Sequence, residues 1–254
     1  KIRRHDISVH PVAMPALPRC LLATGAAFVA AAAPTAVGGS SRARLVRQPL
    51  AYPRQHVEHF LTSEQCARIR KRAMKELRFE RAKVGSGSTD SKAVAFSEES
   101  RRARYAAVPR DHFLFGQLYQ KLWHLANATN ERFWRFAVSQ NTMELMQYSI
   151  YHSDDKGMYD WHEDVGFQLS TASRVLSATV QLSEESAYSG GDLLLRVGRQ
   201  ELVAPRDVGD VVFFPSHVTH RVTPVMTGER HSLVLWITLD APLPYAQQGL
   251  RETA

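Results

Sequence analysis

Two histidines and an aspartate have the residue types and the spacing of a metal site. His162 and Asp164 stand two positions apart in a segment of strand-like composition, 159–166, and alternate residues of a strand point to the same face. His220 opens a further strand directly after an apolar one, so it can supply a second imidazole. Two imidazoles and one carboxylate on one face of an octahedral ion leave three positions open, as in non-haem Fe(II) sites.

Other histidines compete for this role. His152 and Asp154 have the same spacing, but they run into an Asp-Asp-Lys-Gly turn, so we expect them in a loop. His217 stands three positions before His220, which is a helical ligand spacing, yet Pro215 and the β-branched residues nearby disfavour a helix. We therefore expect His217 to lie on the surface, or to contact a metal ligand without binding the metal itself. Zinc in the same three-residue site, or a site that has lost its metal, remains an alternative.

Arg230, ten residues after His220, is a candidate for binding an anionic cosubstrate. A strand that starts near Gly228 places Arg230 and Ser232 on one face. The planar guanidinium binds a carboxylate through two hydrogen bonds, and Ser232 can add a third. A buried arginine near iron needs an anionic partner, and the remote carboxylate of a 2-oxo diacid would supply it. A solvated Arg230, or one paired with Glu229, is the competing interpretation.

The composition narrows the classes of protein. Two cysteines, Cys20 and Cys66, exclude a disulfide framework and a zinc ribbon, so metal chemistry must rest on histidine and carboxylate. The formal net charge is +7, but residues 1–50 hold seven of the 32 basic and one of the 25 acidic residues. The remaining 25 basic and 24 acidic residues nearly balance, so we expect no nucleic-acid partner.

The first fifty residues have the composition of a targeting segment. Basic residues precede a 14-residue apolar run, 20–33, and small residues follow it. We expect residues 1–50 to be a leader that is disordered or cleaved and that directs the chain to the secretory pathway and the endoplasmic reticulum. An organellar transit peptide is the alternative. The run is too short for a stable membrane span in the mature chain.

The body of the chain, residues 51–254, changes its hydrophobic period at about residue 141. Helices are predicted over 63–77, where Thr62 and Gln65 can form a capping box, and over 111–126, with a loop at 84–90 between them. Short strands with turn residues between them follow, which predicts an α+β, mainly β, fold with a jelly-roll core buttressed by N-terminal helices. The predicted strands are 143–150, 159–169, 175–183, 192–197, 201–203, 208–214, 220–225 and 232–239.

An ordered set of motifs from about residue 61 to residue 239 resembles the prolyl-4-hydroxylase-type family of 2-oxoglutarate- and Fe(II)-dependent dioxygenases. The set as a whole is far more specific than any one of its members. The motifs are Gln147-Tyr148, Tyr159-Asp-Trp-His-x-Asp164, Gln181-Leu-Ser183, Gly190-Gly-Asp-Leu193, Phe214-Pro-Ser216, His220-Arg-Val-Thr-Pro-Val225, Gly228-x-Arg230 and Ser232-Leu233.

The resemblance implies roles for individual residues. His162, Asp164 and His220 would be the catalytic iron ligands, and Arg230 would bind the tail carboxylate of 2-oxoglutarate. Tyr148 would donate a hydrogen bond to the cosubstrate. Gln181 stands where some members of the family have a second cosubstrate-binding tyrosine, so the sequence leaves that contact open.

The resemblance also implies a fold and an activity. It implies a double-stranded β-helix and a dioxygenase domain over 51–254 that uses Fe(II), 2-oxoglutarate and O2 and is stimulated by L-ascorbate. It further implies hydroxylation of an unactivated C–H bond, most simply in a prolyl or similar side chain of a peptide or protein. Oxygenation of a small molecule, and a non-catalytic cupin-like metal-binding module, are the alternatives.

Overall fold

The computed structural model describes residues 53–81, 99–166 and 169–240. The predicted leader over 1–50 and the predicted loop over 84–90 therefore lie outside the described residues. The helices are α1 (Ser63–Glu76), α2 (Phe113–Phe133) and the short α3 (Leu169–Ala172). In the described part of the chain, no helix is long and apolar enough to cross a membrane.

Helix α1 begins where the capping box predicts. The Gln65 backbone N–H donates to the Thr62 hydroxyl at 3.2 Å, and the Thr62 N–H donates to the Gln65 side chain at 2.9 Å. Cys66, Ile69 and Ala73 form its buried stripe, as their helical spacing indicates. The first helix prediction is confirmed to within one residue.

Helix α2 continues seven residues beyond its predicted end at 126. Its buried face is extended by the polar residues Thr129 and Asn130, so the hydrophobic pattern used for the prediction stops too early. The Asn130 side chain also accepts from the Phe136 N–H and donates to the Phe136 carbonyl, both at 2.9 Å. These bonds stabilise the turn that follows the helix, in which Arg135 has a positive φ of 59°.

The strands form two antiparallel sheets. The strands of the described residues are β1 (Gln55–Val57), β2 (Glu80–Arg81), β3 (Arg101–Arg102), β4 (Arg104–Ala107), β5 (Gln147–His152), β6 (Met158–His162), β7 (Arg174–Gln181), β8 (Tyr188–Gly190), β9 (Leu193–Val197), β10 (Gln200–Val203), β11 (Val211–Pro215), β12 (His220–Val222) and β13 (Val225–Thr238). The main sheet has the order β1-β11-β7-β13-β5-β4-β2, with β8 paired to the extended start of β13, and the minor sheet has the order β10-β9-β12-β6-β3.

Strand β13 shows how the main sheet divides its two faces. Leu233, Leu235 and Ile237 belong to the hydrophobic core that also contains the buried stripes of α1 and α2. The alternate residues, from Arg230 to Trp236, face a cavity between the two sheets, which we call the inter-sheet cavity. A sandwich of two sheets with helices on the outer face of one is the predicted jelly-roll core with buttressing helices, and this prediction is confirmed.

The strand bounds differ from the prediction in several places. Strand β13 begins at Val225 and not at residue 232, the predicted strand 220–225 ends at Val222, and β5 runs from Gln147 to His152 where 143–150 was predicted. The predicted strand 159–169 ends at His162, and a loop and the short helix α3 follow it. Strands β1 to β4 and β8 were not predicted. They are two to four residues long, and β1 to β4 lack a hydrophobic alternation. Their positions depend on partners distant in sequence, such as β11 for β1 and β5 for β4.

Candidate metal centre

His162, Asp164 and His220 lie together at the inter-sheet cavity. One ligand atom from each of the three lies within 4.8 Å of the other two. The Nε2 atom of His162 lies 3.9 Å from Oδ1 of Asp164, and that of His220 lies 3.6 Å from Oδ2. The two histidines are paired across β6 and β12, so strand register fixes their separation.

Asp164 reaches this cluster from a loop. The prediction placed it in the same strand as His162, with strand alternation directing both side chains, and this was wrong because β6 ends at His162. The Asp164 N–H instead donates to the Ser216 carbonyl at 2.9 Å, which directs the chain back towards the cavity. Its carboxylate Oδ2 accepts from the Ser177 hydroxyl at 2.6 Å.

Backbone carbonyls orient both imidazoles. Nδ1 of His162 lies 2.7 Å from the Asp160 carbonyl, and Nδ1 of His220 lies 2.9 Å from the Val218 carbonyl. Since a carbonyl oxygen only accepts, each Nδ1 carries the proton and each Nε2 lone pair faces the cluster. These two tautomers are the ones that bind a metal ion through Nε2.

The charge states also suit a divalent ion. Burial, and then the neighbouring His220, lower the pKa of His162 to about 3, so that imidazole is neutral at pH 7. Burial disfavours the charged form of Asp164, but the two imidazoles and the Ser177 hydroxyl outweigh it and keep the pKa of the carboxyl below its ordinary value. Two imidazole nitrogens and one carboxylate are a donor set that fits Fe(II).

Arg230 lies in the same cavity and is buried. Its guanidinium carbon is 5.6 Å from the centre of the Tyr151 ring. Within the described residues, no carboxylate lies within 4.0 Å of it, because Glu229 contacts His152 at 3.1 Å and His231 at 3.0 Å instead. The alternatives of a solvated Arg230 and of an Arg230–Glu229 pair do not fit this placement. Ser232 is buried beside it on the same face of β13.

Tyr148 does not reach the cavity. Its ring lies on the helix side of the main sheet, its hydroxyl is 2.8 Å from Nδ1 of His231, and its edge contacts Phe79. The proposed hydrogen bond from Tyr148 to the cosubstrate therefore does not fit the structure. Strand alternation is the reason, because it places Gln147 and Tyr151 on the cavity face instead.

Tyr151 is the tyrosine that the structure brings to the site. It stands opposite Arg230 in the pairing of β5 with β13. The alternation of polar and apolar residues from Gln147 to Ile150 is the sequence signal for this placement, because it puts Tyr151 on the face opposite Tyr148.

Gln181 lies behind Arg230. Its amide donates to the Tyr188 hydroxyl at 2.9 Å and to the Ser183 carbonyl at 3.1 Å. It lines a second small cavity that Arg230 also borders, and it is absent from the lining of the inter-sheet cavity. The structure thus places Gln181 in contact with Tyr188, not beside the three ligands.

The competing histidines lie elsewhere. His152 caps a 3-10 turn, where its Nδ1 accepts from the Asp154 N–H at 3.0 Å, as its position before the turn indicates. His217 is exposed, and it is not part of the three-residue cluster. The placement of His217 agrees with the expectation from the sequence. His152 was expected in a loop but is the last residue of β5, because it pairs with Glu229 of β13, and only Asp154 lies in the turn that follows.

Two further residues lie at the cavity beside the candidate ligands. The Tyr159 ring stacks on His162, with 3.5 Å between ring centres and 16° between the planes. The Arg101 guanidinium carbon lies 4.5 Å from the centre of the same Tyr159 ring. Arg101 comes from β3, which pairs with β6, and this long-range pairing leaves no local pattern in the sequence.

The chain is similar in sequence to known oxygenases. Residues 146–238 match the sequence profile of the 2OG-Fe(II) oxygenase superfamily. The chain is 27% identical over 195 residues to a PKHD-type hydroxylase of Acinetobacter baumannii, which covers 72% of this chain and 76% of that protein. It is 41% identical over 80 residues to a PKHD-type hydroxylase of Synechococcus sp., and this alignment covers 31% of this chain and only 36% of that protein.

Solved structures of two prolyl hydroxylases have the same fold. A Pseudomonas putida prolyl-4-hydroxylase aligns with a TM-score of 0.57 and 21% identity, over 75% of this chain and 95% of that one. A Trichoplax adhaerens prolyl hydroxylase aligns with a TM-score of 0.60 and 14% identity, over 74% and 84%. The latter was solved in complex with a peptide fragment of a hypoxia inducible factor oxygen degradation domain.

Proposed function

We propose that this chain is a 2-oxoglutarate- and Fe(II)-dependent dioxygenase of the prolyl-4-hydroxylase type, and that it hydroxylates an unactivated C–H bond in a prolyl or similar side chain of a peptide or protein. One observation carries the proposal. The cavity that holds His162, Asp164 and His220 also holds a buried Arg230 with no carboxylate partner among the described residues. Neither a structural zinc site nor a non-catalytic binding module needs both features.

Three side chains would hold the metal, and the cosubstrate would dock beside it. His162 and His220 offer Nε2, and Asp164 offers its carboxylate. Arg230 would bind the remote carboxylate of 2-oxoglutarate, with Ser232 beside it and Tyr151 opposite it across the strands. Fe(II), with 2-oxoglutarate and O2, supplies the oxidising power that converts C–H to C–OH while the cosubstrate gives succinate and CO2.

The rest of the cavity would keep this chemistry away from water. Its apolar walls come from both sheets, and most of these side chains are buried. A dry site strengthens the electrostatic contacts inside it and protects a reactive oxidant. The walls consist of Leu193, Phe214, Val222, Val234 and Trp236.

Several finer points belong to the same proposal. The peptide class is supported by the prolyl hydroxylase names of the structural neighbours and by the peptide in the Trichoplax complex. The presence of Asp164 favours hydroxylation over halogenation, because halide would need the position that the carboxylate takes. We expect L-ascorbate to sustain turnover. The composition of residues 1–50 supports delivery to the secretory pathway.

An anaerobic titration tests the chemistry. Fe(II) followed by 2-oxoglutarate should give the visible charge-transfer band of an iron-chelated 2-oxo acid, and His220→Ala should abolish it while His217→Ala keeps it. Absence of the band with metal bound would contradict the proposal. Once the band is established, succinate release in the presence of proline-containing peptides, compared with free small molecules, tests the substrate class.

A further inference from the structure

Arg101 occupies a defined place at the inter-sheet cavity. Strand β3 pairs with β6 so that Arg101 stands opposite Tyr159. The guanidinium packs over the Tyr159 ring, which in turn stacks on His162. Arg101 is therefore two stacked contacts away from a metal ligand, and it lines the same cavity as Arg230.

The charge of Arg101 has no counterpart among the described residues. Its Nε atom is buried without a hydrogen-bond partner, and no carboxylate there lies within 4.0 Å of the guanidinium. Two other arginines next to the cavities are paired. Arg174 contacts both oxygens of Glu144 at 2.6 Å, and Arg206 contacts Asp192 at 3.0 Å.

A charge count shows what the loaded cavity would lack. The protein contributes two positive charges, from Arg101 and Arg230, and one negative charge, from Asp164. Fe(II) adds two positive charges and 2-oxoglutarate two negative ones. The sum is one positive charge. Because the cosubstrate carboxylate would neutralise Arg230, the positive charge without a partner is that of Arg101. A partly buried cation is stabilised when an anion reaches it.

We propose that Arg101 binds a carboxylate of the acceptor substrate, so that the substrate carries an acidic group close to the carbon that is hydroxylated. This inference rests on the proposed function. The guanidinium forks match a carboxylate in two parallel hydrogen bonds, and the Tyr159 ring holds the guanidinium plane in place. The carboxylate belongs either to an aspartate or glutamate of a peptide or to a free amino acid.

Matched pairs of probes test this with the full chain loaded with Fe(II) and 2-oxoglutarate. The first pair consists of two pools of short proline-containing peptides. One pool contains Asp and Glu, and the other contains Asn and Gln at the same positions. The other pair is L-proline and L-prolinamide. Binding is measured under nitrogen by saturation-transfer NMR, and succinate release is measured in air. We expect the carboxylate member of one pair to bind at least about tenfold more tightly than its amide, as for a hydrogen bond to a charged group.

Two variants assign the preference to Arg101. Arg101→Gln should reduce the ratio of carboxylate to amide binding to near one. Arg102→Gln removes the same charge one position along β3, where the side chain contacts the Lys156 carbonyl at 3.4 Å outside the cavity, and it should keep the ratio.

Two results would overturn the inference: no carboxylate probe binds more tightly than its amide, or Arg101→Gln retains the preference. If Arg101→Gln does not fold, the wild-type comparison decides alone. Failure of the proposed function gives a different result from failure of this inference, because the charge-transfer band would then be absent before any probe is added.

Discussion

The Ser177 hydroxyl donates a 2.6 Å hydrogen bond to Oδ2 of Asp164. Ser177 belongs to β7 in the main sheet, whereas Asp164 lies in the loop after β6 of the minor sheet. The Ser216 hydroxyl lies 2.9 Å from that of Ser177, and the Ser216 carbonyl accepts from the Asp164 N–H. Asp164 is the candidate ligand that lies outside any strand, and these contacts with the main sheet orient its side chain.

Ser177→Ala should weaken metal binding without removing any of the three candidate ligands. The carboxylate would lose the hydrogen bond that orients it, and partners of this kind are worth about 10- to 100-fold in metal affinity. The measurement is an Fe(II) titration under nitrogen against a competing chelator. Ser189→Ala is the matched control, because Ser189 is exposed and contacts Thr227. Equal affinity in both variants would contradict the orienting role.

Substitution of single histidines should separate the candidate ligands from their competitors. His162→Ala and His220→Ala should each abolish Fe(II) binding and cosubstrate turnover, because two of three ligands cannot hold the ion in this geometry. His152→Ala should retain most of both, since its ring caps a turn. The measurement is bound iron per chain together with succinate release. Loss of iron in His152→Ala would contradict the choice of cluster.

The sequence was sufficient to predict that the two histidines of the candidate cluster lie together, because each of them carries a local signal. His162 and His220 follow strand patterns, and the pairing of β6 with β12 then places them opposite each other. Asp164 was identified for a reason that the structure does not support. Its side chain converges on the cluster because a loop contact with Ser216 directs it there.

The parts of the site that the sequence did not predict depend on which face of the sheet a side chain occupies and on the pairing of distant strands. Tyr148 and Tyr151 are three positions apart in one strand, so only the assignment of a face distinguishes them. Arg101 depends on the pairing of a two-residue strand with β6. Such pairings form between segments that are distant in sequence, so they cannot be predicted from local hydrophobic periodicity.

Tyr151 and Tyr148 should respond differently to substitution. Tyr151→Ala removes the ring that packs under Arg230 at the cavity, so the KM for 2-oxoglutarate should rise several-fold. Tyr148→Phe leaves Nδ1 of His231 without its buried partner, which should lower the free energy of unfolding by about 1 to 3 kcal/mol. Steady-state kinetics and urea unfolding of both variants measure the two effects. A larger KM effect in Tyr148→Phe would restore the sequence-based assignment.

Cys66 should be unreactive in the folded protein. Burial raises the pKa of its thiol to about 11, so the thiolate that reacts with alkylating reagents is scarce at pH 8. With Cys20→Ser as the background, native protein should show little labelling by a maleimide at pH 8, and urea-unfolded protein should label fully. Rapid labelling of the native protein would show that α1 separates from the main sheet.

Gly191 should be required for the position of Arg230. A methyl group at Gly191 would lie 3.2 Å from Cδ of Arg230 and 2.9 Å from a methyl of Val225, and its φ of 64° also favours glycine. Gly191→Ala should therefore raise the KM for 2-oxoglutarate, in addition to lowering the free energy of unfolding. Gly198→Ala is the matched control, because its φ is 60° but no atom lies within 4 Å of the added methyl. Both variants should lose about 1 kcal/mol of unfolding free energy from the backbone conformation alone. A rise in KM confined to Gly191→Ala would locate the effect at Arg230, whereas an equal rise in both variants would assign it to general destabilisation.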